Sequence, residues 1–195
     1  MHIPNSIDLD KYIFKKRPRL SPKLLWVRSF ADIYNPSMAI EVFEKLKVDF
    51  PDAELCMVGP EKDGSLEACK HLAAAKKLPV RFTGKLEKSE WTALAAEYDI
   101  FINTTRFDNM PVSVIEAMAL GLPVVSTNVG GIPFMLEDKK TALLVENENV
   151  NEMYDAFKSL LINPEFASKI AFNARKQAEN YDWEIIKHQW EDLLV

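Results

Sequence analysis

The sequence predicts an α/β fold built around a doubly wound, Rossmann-like sheet of six parallel strands. Short runs rich in apolar and β-branched residues alternate with longer segments of helical period, which is typical of repeated βαβ units. At 195 residues the chain is long enough for one sizeable core and too short for two full α/β domains. Because it also contains no internal repeat or low-complexity linker, we expect a single domain of this class.

The predicted elements follow one another along nearly the whole chain. Strands are predicted at residues 24–28, 54–58, 80–83, 99–103, 122–126 and 141–145. Helices are predicted at residues 36–49, 64–77, 89–97, 112–120, 131–137, 149–162, 164–180 and 182–193. Each strand is thus followed by a helix, as a parallel sheet requires.

Residues with strong positional preferences mark several helix ends. Pro36 suits the first position of a helix, and Ser89 is predicted to cap the third one. Asn163 precedes a proline and is expected to start a new helix. Gly121 can adopt the left-handed conformation that ends the fourth helix, which Pro123 prevents from continuing.

Composition limits the classes of function. The chain carries 24 Lys and Arg against 29 Asp and Glu, a net charge of -5, so nucleic acid is not expected as a partner. No apolar run approaches the roughly eighteen residues of a membrane span, and the N-terminus lacks a secretion signal. We therefore expect a cytoplasmic protein. Cys56 and Cys69 lack metal-ligand spacing and are predicted to be reduced, apolar packing residues, and we expect no metal site.

The most informative segment spans residues 108–125, where two carboxylates, Asp108 and Glu116, lie eight residues apart at a loop-to-helix junction. In doubly wound sheets ligands bind beyond the carboxyl ends of the strands, where this junction falls. Apolar residues surround Glu116, and a buried carboxylate is costly unless it binds something. The segment resembles the E-x7-E motif of retaining glycosyltransferases with the GT-B fold, in particular glycosyltransferase family 4. Asp108 replaces the first Glu of that motif, and Asn109 replaces the Gly that usually follows.

A second segment carries the same resemblance. Residues 3–8, Ile-Pro-Asn-Ser-Ile-Asp, are similar to the I-P-N-G-[IV]-D segment that family 4 enzymes place between their two Rossmann-like domains. The resemblance implies that residues 1–10 are an interdomain linker remnant and that residues 11–195 are the nucleotide-sugar-binding, C-terminal half of a GT-B fold. It also implies that an N-terminal acceptor-binding domain is missing from this chain, and that any peripheral membrane contact is made by that domain.

The resemblance assigns roles to three charged residues. Glu116 is implied to accept hydrogen bonds from the ribose hydroxyls of a nucleotide, and Asp108 from hydroxyls of the sugar. The alternatives are a helix-surface Glu and a helix-capping Asp. Arg28 corresponds to the Arg of the family's G-R-L-x-x-x-K-G element and is implied to bind the diphosphate. The Lys of that element has no clear equivalent, and Tyr34 or Asn35 lies near its place.

Backbone groups are expected to complete the donor site. A diphosphate leaving group gains charge as its bond to the sugar breaks, and helix N-termini stabilise such charge. The helix carrying Glu116 offers free N–H groups in its first turn, and two adjacent glycines resemble part of the family's V-G-G-x-x-E region. Family members read the base through backbone groups after the third strand. The predicted substrate-binding residues are therefore Arg28, Gly84, Lys85, Leu86, Asn109, Met110, Pro111, Val112, Ser113, Gly130 and Gly131.

Three functional hypotheses follow. In the first, the chain is the donor-binding domain of a retaining glycosyltransferase that moves a sugar from a nucleoside diphosphate to a hydroxyl acceptor without metal or cofactor, and it is inactive alone. In the second, it is a nucleotide-binding or interaction module, which Asn109 and the missing Lys favour. In the third, Asp108 and Glu116 are the acid and nucleophile of a glycosidase. The third hypothesis is the weakest, because a sheet edge beside anion-binding backbone groups suits a phosphate ligand better than the substrate of a glycosidase.

Overall fold

The computed structural model describes residues 3–194 and contains a six-stranded sheet in which each strand is parallel to its neighbours. The strands are β1 (Lys23–Val27), β2 (Glu54–Val58), β3 (Val80–Gly84), β4 (Ile100–Asn103), β5 (Val124–Thr127) and β6 (Leu143–Val145). Their order in the sheet is β3-β2-β1-β4-β5-β6. This order confirms the predicted doubly wound, Rossmann-like class. Residues 1, 2 and 195, which the predicted domain ranges include, lie outside the described residues.

Helices cover both faces of the sheet. They are α1 (Pro36–Asp49), α2 (Ser65–Ala75), α3 (Lys88–Ala95), α4 (Val112–Ala119), α5 (Ile132–Met135), α6 (Val150–Ile162), α7 (Pro164–Glu179) and α8 (Trp183–Leu194). Three predicted helix ends are confirmed. Pro36 is the first residue of α1, the Asn163 side chain accepts a hydrogen bond from the Phe166 N–H at 3.1 Å, and Gly121 has a φ of 75°.

The predicted cap of α3 is wrong. Glu87, not Ser89, is the capping residue, and Ser89 is the second residue of the helix. The Glu87 side chain accepts from the Glu90 N–H, and the Glu90 carboxylate accepts from the Glu87 N–H at 2.7 Å. Two reciprocal hydrogen bonds satisfy more of the exposed helix end than one serine hydroxyl could, so the capping box decides where α3 begins.

The last two strands begin later than predicted. β5 starts at Val124 because Pro123 has no N–H group to contribute to a strand ladder. β6 starts at Leu143 because the preceding residues form a turn, in which the Thr141 N–H donates to the Glu137 carbonyl at 2.9 Å. Local hydrogen bonding there replaces pairing with the neighbouring strand.

The strand order reverses between β1 and β4, which opens a crevice at their carboxyl ends. Two threonines tie together the loops that follow these strands. Trp26 Nε1 donates to Thr104 Oγ1 at 3.1 Å, and that hydroxyl donates to the Tyr34 carbonyl at 3.0 Å. Thr105 Oγ1 lies 3.2 Å from the Ile33 carbonyl. These hydrogen bonds hold the two walls of the crevice in register.

The hydrophobic core lies on both faces of the sheet, because alternate residues of each strand point to opposite sides. Aromatic and methionine side chains are buried in it, among them Phe101, Met118, Met135 and Met153. Cys56 and Cys69 are buried and unpaired, as expected. Their packing role is therefore confirmed.

The described part of the predicted linker is packed against the domain. The Ile7 N–H donates to the Tyr181 carbonyl at 2.9 Å, and the Trp183 N–H donates to the Ile7 carbonyl at 2.8 Å. The side chains of Ile7 and Tyr12 are buried in the core cluster that also contains α4. Residues 3–12 thus contribute to the folded unit.

A buried guanidinium, that of Arg17, connects the ends of two helices. It donates to the carbonyl of Ala95, the last residue of α3, at 3.2 Å, and to that of Tyr98, in the segment that follows α3, at 3.1 Å. It also donates to the carbonyl of Leu120, just after α4, at 3.0 Å. A fourth hydrogen bond reaches the Lys15 carbonyl at 3.1 Å. Helix C-termini carry partial negative charge, and a carbonyl oxygen there can accept a second hydrogen bond, so a buried cation is well placed.

Within the described residues, the structure contains no helix with both the length and the apolar character needed to span a bilayer.

Arg17→Met is predicted to lower the free energy of unfolding by about 3–5 kcal/mol, because it removes the donor of the buried Tyr98 carbonyl and leaves Asp99, whose carboxylate lies 3.3 Å from Arg17 Nε, without its charged partner. Urea unfolding followed by circular dichroism measures the loss. Arg19→Met is the matched control, since Arg19 is exposed and its loss should stay within about 0.5 kcal/mol. Equal losses in the two variants would contradict the anchoring role of Arg17.

Candidate functional site

Glu116 is a charged residue in an otherwise apolar, buried helix. α4 follows Pro111, whose φ and ψ of -68° and 117° place it outside the helix, and it contains Val114, Ile115, Ala117 and Met118, all fully buried. Packing on every side of α4 therefore draws Glu116 into the protein. Its side chain is 4% exposed.

Two groups from distant parts of the chain neutralise this carboxylate. The Tyr12 hydroxyl donates to Glu116 Oε1 at 2.6 Å, and Lys88 Nζ lies 2.5 Å from the same oxygen. Tyr12 is 2% exposed, whereas the Lys88 side chain is 60% exposed. The Tyr12 contact is thus fixed by the core, and the Lys88 contact is made from solvent.

A second ion pair crosses the crevice. Arg28 directly follows β1, Asp108 lies in the loop after β4, and the guanidinium Nη2 contacts Asp108 Oδ2. The ring of Tyr34 lies 4.2 Å from Arg28 Cζ, a cation-π contact. Arg28 Nε is buried and has no hydrogen-bond partner among residues 3–194. Tyr34, one of the two residues predicted to lie near the place of the family's Lys, therefore supports Arg28 and supplies no positive charge of its own.

Burial and nearby charge have opposite effects on the pKa of the Asp108 carboxyl. Burial raises its pKa above the ordinary value of 3.8, while the Arg28 charge and the N–H groups of Asn109 and Met110 oppose this shift. Burial is the larger effect, so the pKa is raised on balance. Additional hydrogen-bond donors would therefore stabilise the charged form of Asp108.

The two predicted glycines are required by the packing of the site's own loops. A Cβ atom on Gly130 would lie 2.3 Å from the Asp108 carbonyl oxygen, and one on Gly131 would lie 2.0 Å from that of Asn109. Gly130 also has a φ of 54°, and the Gly131 N–H donates to the Asp108 carbonyl at 2.8 Å. These glycines thus position the loop that carries Asp108.

Two adjoining cavities open at this edge of the sheet. One of about 370 Å³ is lined by Ile3, Asn5, Arg28, Asp108, Asn109, Met110 and Val112. The other, of about 790 Å³, is lined by Pro4, Phe107, Asn109, Met110, Gly130, Gly131, Phe134, Met135 and Tyr181. Asn109 and Met110 line both, so the polar cavity with the ion pair continues into the larger and more apolar one.

The structure brings most of the predicted site residues together. Seven of them line the two cavities: Arg28, Asp108, Asn109, Met110, Val112, Gly130 and Gly131. Pro111 and Ser113 adjoin them at the start of α4, where the N–H groups of the first turn have no partner within the helix. Gly84, Lys85 and Leu86, at the end of β3 and directly after it, lie on the same edge of the sheet but line neither cavity. Glu116 lines neither cavity either. Their roles stay predictions, as do those of Asp108 and Glu116.

The sequence interpretation missed several residues at the site. Tyr12 and Lys88 contact Glu116 from 104 and 28 positions away, and no local pattern links them to it. Asn5 Nδ2 donates to the Met110 carbonyl at 2.7 Å, so the resemblance of residues 3–8 could have indicated it. Phe134 is 89% exposed at the mouth of the larger cavity, at the position where the V-G-G-x-x-E pattern has its Glu.

Metal ligation finds no support among the described residues, which contain no group of three or more His, Cys, Asp or Glu side chains placed to hold an ion. That the reaction needs no metal stays a prediction.

Comparison with known proteins places the chain in a family. A model of the family described as Glycosyl transferases group 1 matches residues 10–177. The chain belongs to this family. It is 30% identical over 149 residues to the sulfoquinovosyl transferase SQD2 of Arabidopsis thaliana, a match that covers 74% of this chain and 28% of that protein.

Solved structures show the same fold. HepE from Anabaena, in complex with UDP and glucose, matches with a TM-score of 0.88 at 18% identity, over 98% of this chain and 55% of that one. The C-terminal domain of the glycosyl transferase group 1 family protein LpcC from Francisella tularensis matches with a TM-score of 0.79 at 18% identity, over 91% of this chain and 99% of that one. The group 1 chain thus has the fold of a GT-B C-terminal domain. It spans less than half the length of the first curated relatives, 28%, 44% and 45%.

Arg28→Met is predicted to make stability more sensitive to pH. Without the guanidinium, burial should raise the pKa of Asp108 further. An acid whose pKa is raised by folding favours the folded state while protonated, and this stability is lost as the pH rises through the folded-state pKa. Between about pH 4 and pH 7 the free energy of unfolding of Arg28→Met should therefore fall by on the order of 1–3 kcal/mol more than that of the unmodified chain. Urea titrations across this pH range measure the difference.

Two further variants test the assignment. Adding Asp108→Asn to Arg28→Met removes the titrating group and should abolish the additional pH dependence. Arg81→Met disrupts an exposed pair with Glu97, 3.3 Å apart, and should leave the pH dependence unchanged. If Arg28→Met follows the same pH profile as the unmodified chain, the Arg28 charge does not stabilise the Asp108 carboxylate.

Proposed function

We propose that this chain is the donor-binding domain of a retaining GT-B glycosyltransferase, compatible with family 4, which transfers a sugar from a nucleoside diphosphate to a hydroxyl acceptor. The observation that carries the proposal is Glu116, a nearly buried carboxylate on α4, the helix that follows β4 beside the reversal of strand order, in a chain of the glycosyl transferases group 1 family. Its two donors, Tyr12 and Lys88, both contact Oε1, so a hydroxyl of a ribose can donate to Oε2.

The polar cavity suits a diphosphate. It contains the Arg28 guanidinium and lies against Val112, the first residue of α4, whose N–H has no acceptor within the helix. Cationic side chains and helix N-termini stabilise anions, and they stabilise most strongly the charge that develops as the leaving group departs. The diphosphate competes with Asp108 for Arg28, and Asp108 is then available to sugar hydroxyls.

The larger cavity is the proposed place of the transferred sugar and the approaching acceptor hydroxyl. It adjoins the diphosphate cavity through Asn109 and Met110, so a sugar bonded to the diphosphate can extend into it. In a retaining transfer of this kind the acceptor approaches the face that the diphosphate leaves, and the leaving phosphate takes the acceptor proton. No side chain of this chain then needs to act as a nucleophile.

The base is proposed to contact the backbone of Gly84, which ends β3 at the edge of the sheet, and of Lys85 and Leu86, which follow it. Uridine is the first base to test, because the HepE structure was determined with UDP and glucose. Transfer is proposed to require an acceptor-binding domain, since the chain spans less than half of its curated relatives.

A nucleotide-binding module without transfer activity is the second candidate. Two features favour it: Arg28 is already paired with Asp108, and neither Tyr34 nor Asn35, the residues near the place of the family's Lys, carries a positive charge. The glycosidase hypothesis loses its basis, because the chain belongs to the glycosyl transferases group 1 family.

Nucleoside diphosphates are predicted to raise the melting temperature of this chain. At about 100 times the dissociation constant, binding adds roughly 2.7 kcal/mol, which corresponds to a shift of about 5–10 °C for a domain of this size. Differential scanning fluorimetry with UDP, GDP, ADP and their sugar conjugates measures the shift and identifies the base.

Glu116→Ala should abolish the shift, while Glu67→Ala, which removes an exposed carboxylate from α2, should preserve it. A sugar conjugate that gives a larger shift than its nucleotide supports the transferase over the nucleotide-binding module. A cooperatively folded chain that responds to none of these ligands would contradict both.

A further inference from the structure

Tyr12 lies in the segment before β1, yet core packing and a hydrogen bond from Arg175 hold it in place. Its side chain is buried in the core that packs around α4, and its carbonyl accepts from Arg175 Nη1 at 2.8 Å. The same Arg175 nitrogen donates to the Ala119 carbonyl at the end of α4, also at 2.8 Å. The Tyr12 hydroxyl therefore has a defined position relative to Glu116, 2.6 Å from its Oε1.

The two donors at Glu116, Tyr12 and Lys88, both contact the same carboxylate oxygen, Oε1. A carboxylate oxygen offers two lone-pair positions, and the hydroxyl of Tyr12 and the ammonium of Lys88 both lie at Oε1. Two vicinal hydroxyls bind a carboxylate most favourably through both oxygens. Oε2 is available to one hydroxyl, and the position that Lys88 occupies becomes available to the other if Lys88 moves.

The two donors differ in their ability to move. Tyr12 is rigidly packed, and burial together with the Glu116 charge raises the pKa of its hydroxyl, so it stays a protonated donor. Lys88 is the first residue of α3, on a long side chain that is mostly in solvent. Its displacement exposes an ammonium to water at little cost, whereas displacement of Tyr12 would disrupt the core.

We propose that Tyr12 is a positioning residue for nucleotide binding, which orients the Glu116 carboxylate toward the ribose, and that Lys88 is a counter-ion of this carboxylate that a bound nucleotide displaces. The inference rests on the proposed function, because it assumes that Glu116 accepts from ribose hydroxyls. It adds to that function two residues outside the 108–125 segment and gives them different roles.

The test compares binding of UDP with binding of 2′,3′-dideoxy-UDP, which lacks both ribose hydroxyls, by isothermal titration calorimetry. If the chain binds GDP or ADP instead of UDP, the corresponding dideoxy nucleotide is used. Tyr12→Phe removes one oxygen atom and should weaken UDP binding about tenfold. It should leave the affinity for the dideoxy nucleotide within about twofold, because Tyr12 acts through Glu116 and Glu116 acts through the missing hydroxyls.

Tyr98→Phe is the matched control. Tyr98 is buried to nearly the same extent, and its hydroxyl interacts with Cys56 and Arg81 rather than with Glu116. It should leave both affinities unchanged. Lys88→Met keeps the apolar stem and removes the charge, and it should increase the affinity for UDP, since no counter-ion must then be displaced.

The outcomes separate this inference from the function on which it rests. Suppose that the unmodified chain binds UDP. If Tyr12→Phe then lowers the affinities for UDP and dideoxy-UDP equally, or changes neither affinity, the positioning role is wrong and the donor site stands. A fall in UDP affinity in Lys88→Met would show that Lys88 contacts the nucleotide directly and would overturn its role as counter-ion. If the unmodified, folded chain binds no nucleotide, the proposed function and this inference both fail.

Discussion

The buried guanidinium of Arg17 holds together the three segments from which the Glu116 cluster is built. It donates to carbonyls at the end of α3, just after α4 and at Lys15 in the segment before β1. Lys88 begins α3, Glu116 lies on α4, and Tyr12 lies in that same N-terminal segment. Burying a cation is costly, and several carbonyl oxygens with a nearby carboxylate offset this cost. The geometry at Glu116 therefore depends on Arg17, which anchors α3 and α4 at their C-terminal ends.

The two ends of α4 are treated differently. At its C-terminal end, Arg17 and Arg175 donate to the carbonyls of Leu120 and Ala119, which satisfies the groups where a helix carries partial negative charge. Its N-terminal end has no side-chain cap, and Val112 there lines the cavity that contains Arg28. The protein thus fixes one end of the helix and leaves at the other end the N–H groups that an anionic ligand can use.

Much of the fold can be predicted from the sequence, because the patterns that indicate strands, helices and helix ends are local. Alternating strand and helix patterns predict six parallel strands, and Gly121 and Asn163 predict helix ends from their own conformational preferences. The site is harder to predict, because its partners come together only on folding. No sequence period places Tyr12 at Glu116, and the paired glycines at 130 and 131 suggest ligand approach, whereas the atoms they approach belong to residues 108 and 109. The error at Ser89 is also local: a hydroxyl residue suggests a cap, but the reciprocal pair of glutamates binds the helix end better.

The charged side chains of the site are paired with one another, and this pairing constrains the ligand. Each of the site's two carboxylates has a cation, Arg28 for Asp108 and Lys88 for Glu116. On the proposed function, a diphosphate displaces Asp108 from Arg28, and Asp108 is then a partly buried acid whose pKa burial already raises. A nucleotide alone leaves this carboxylate without its partner, whereas a nucleotide sugar brings hydroxyl donors to it. Discrimination between donor and product can therefore arise from Asp108 itself, because only the intact donor compensates for the ion pair that its diphosphate breaks.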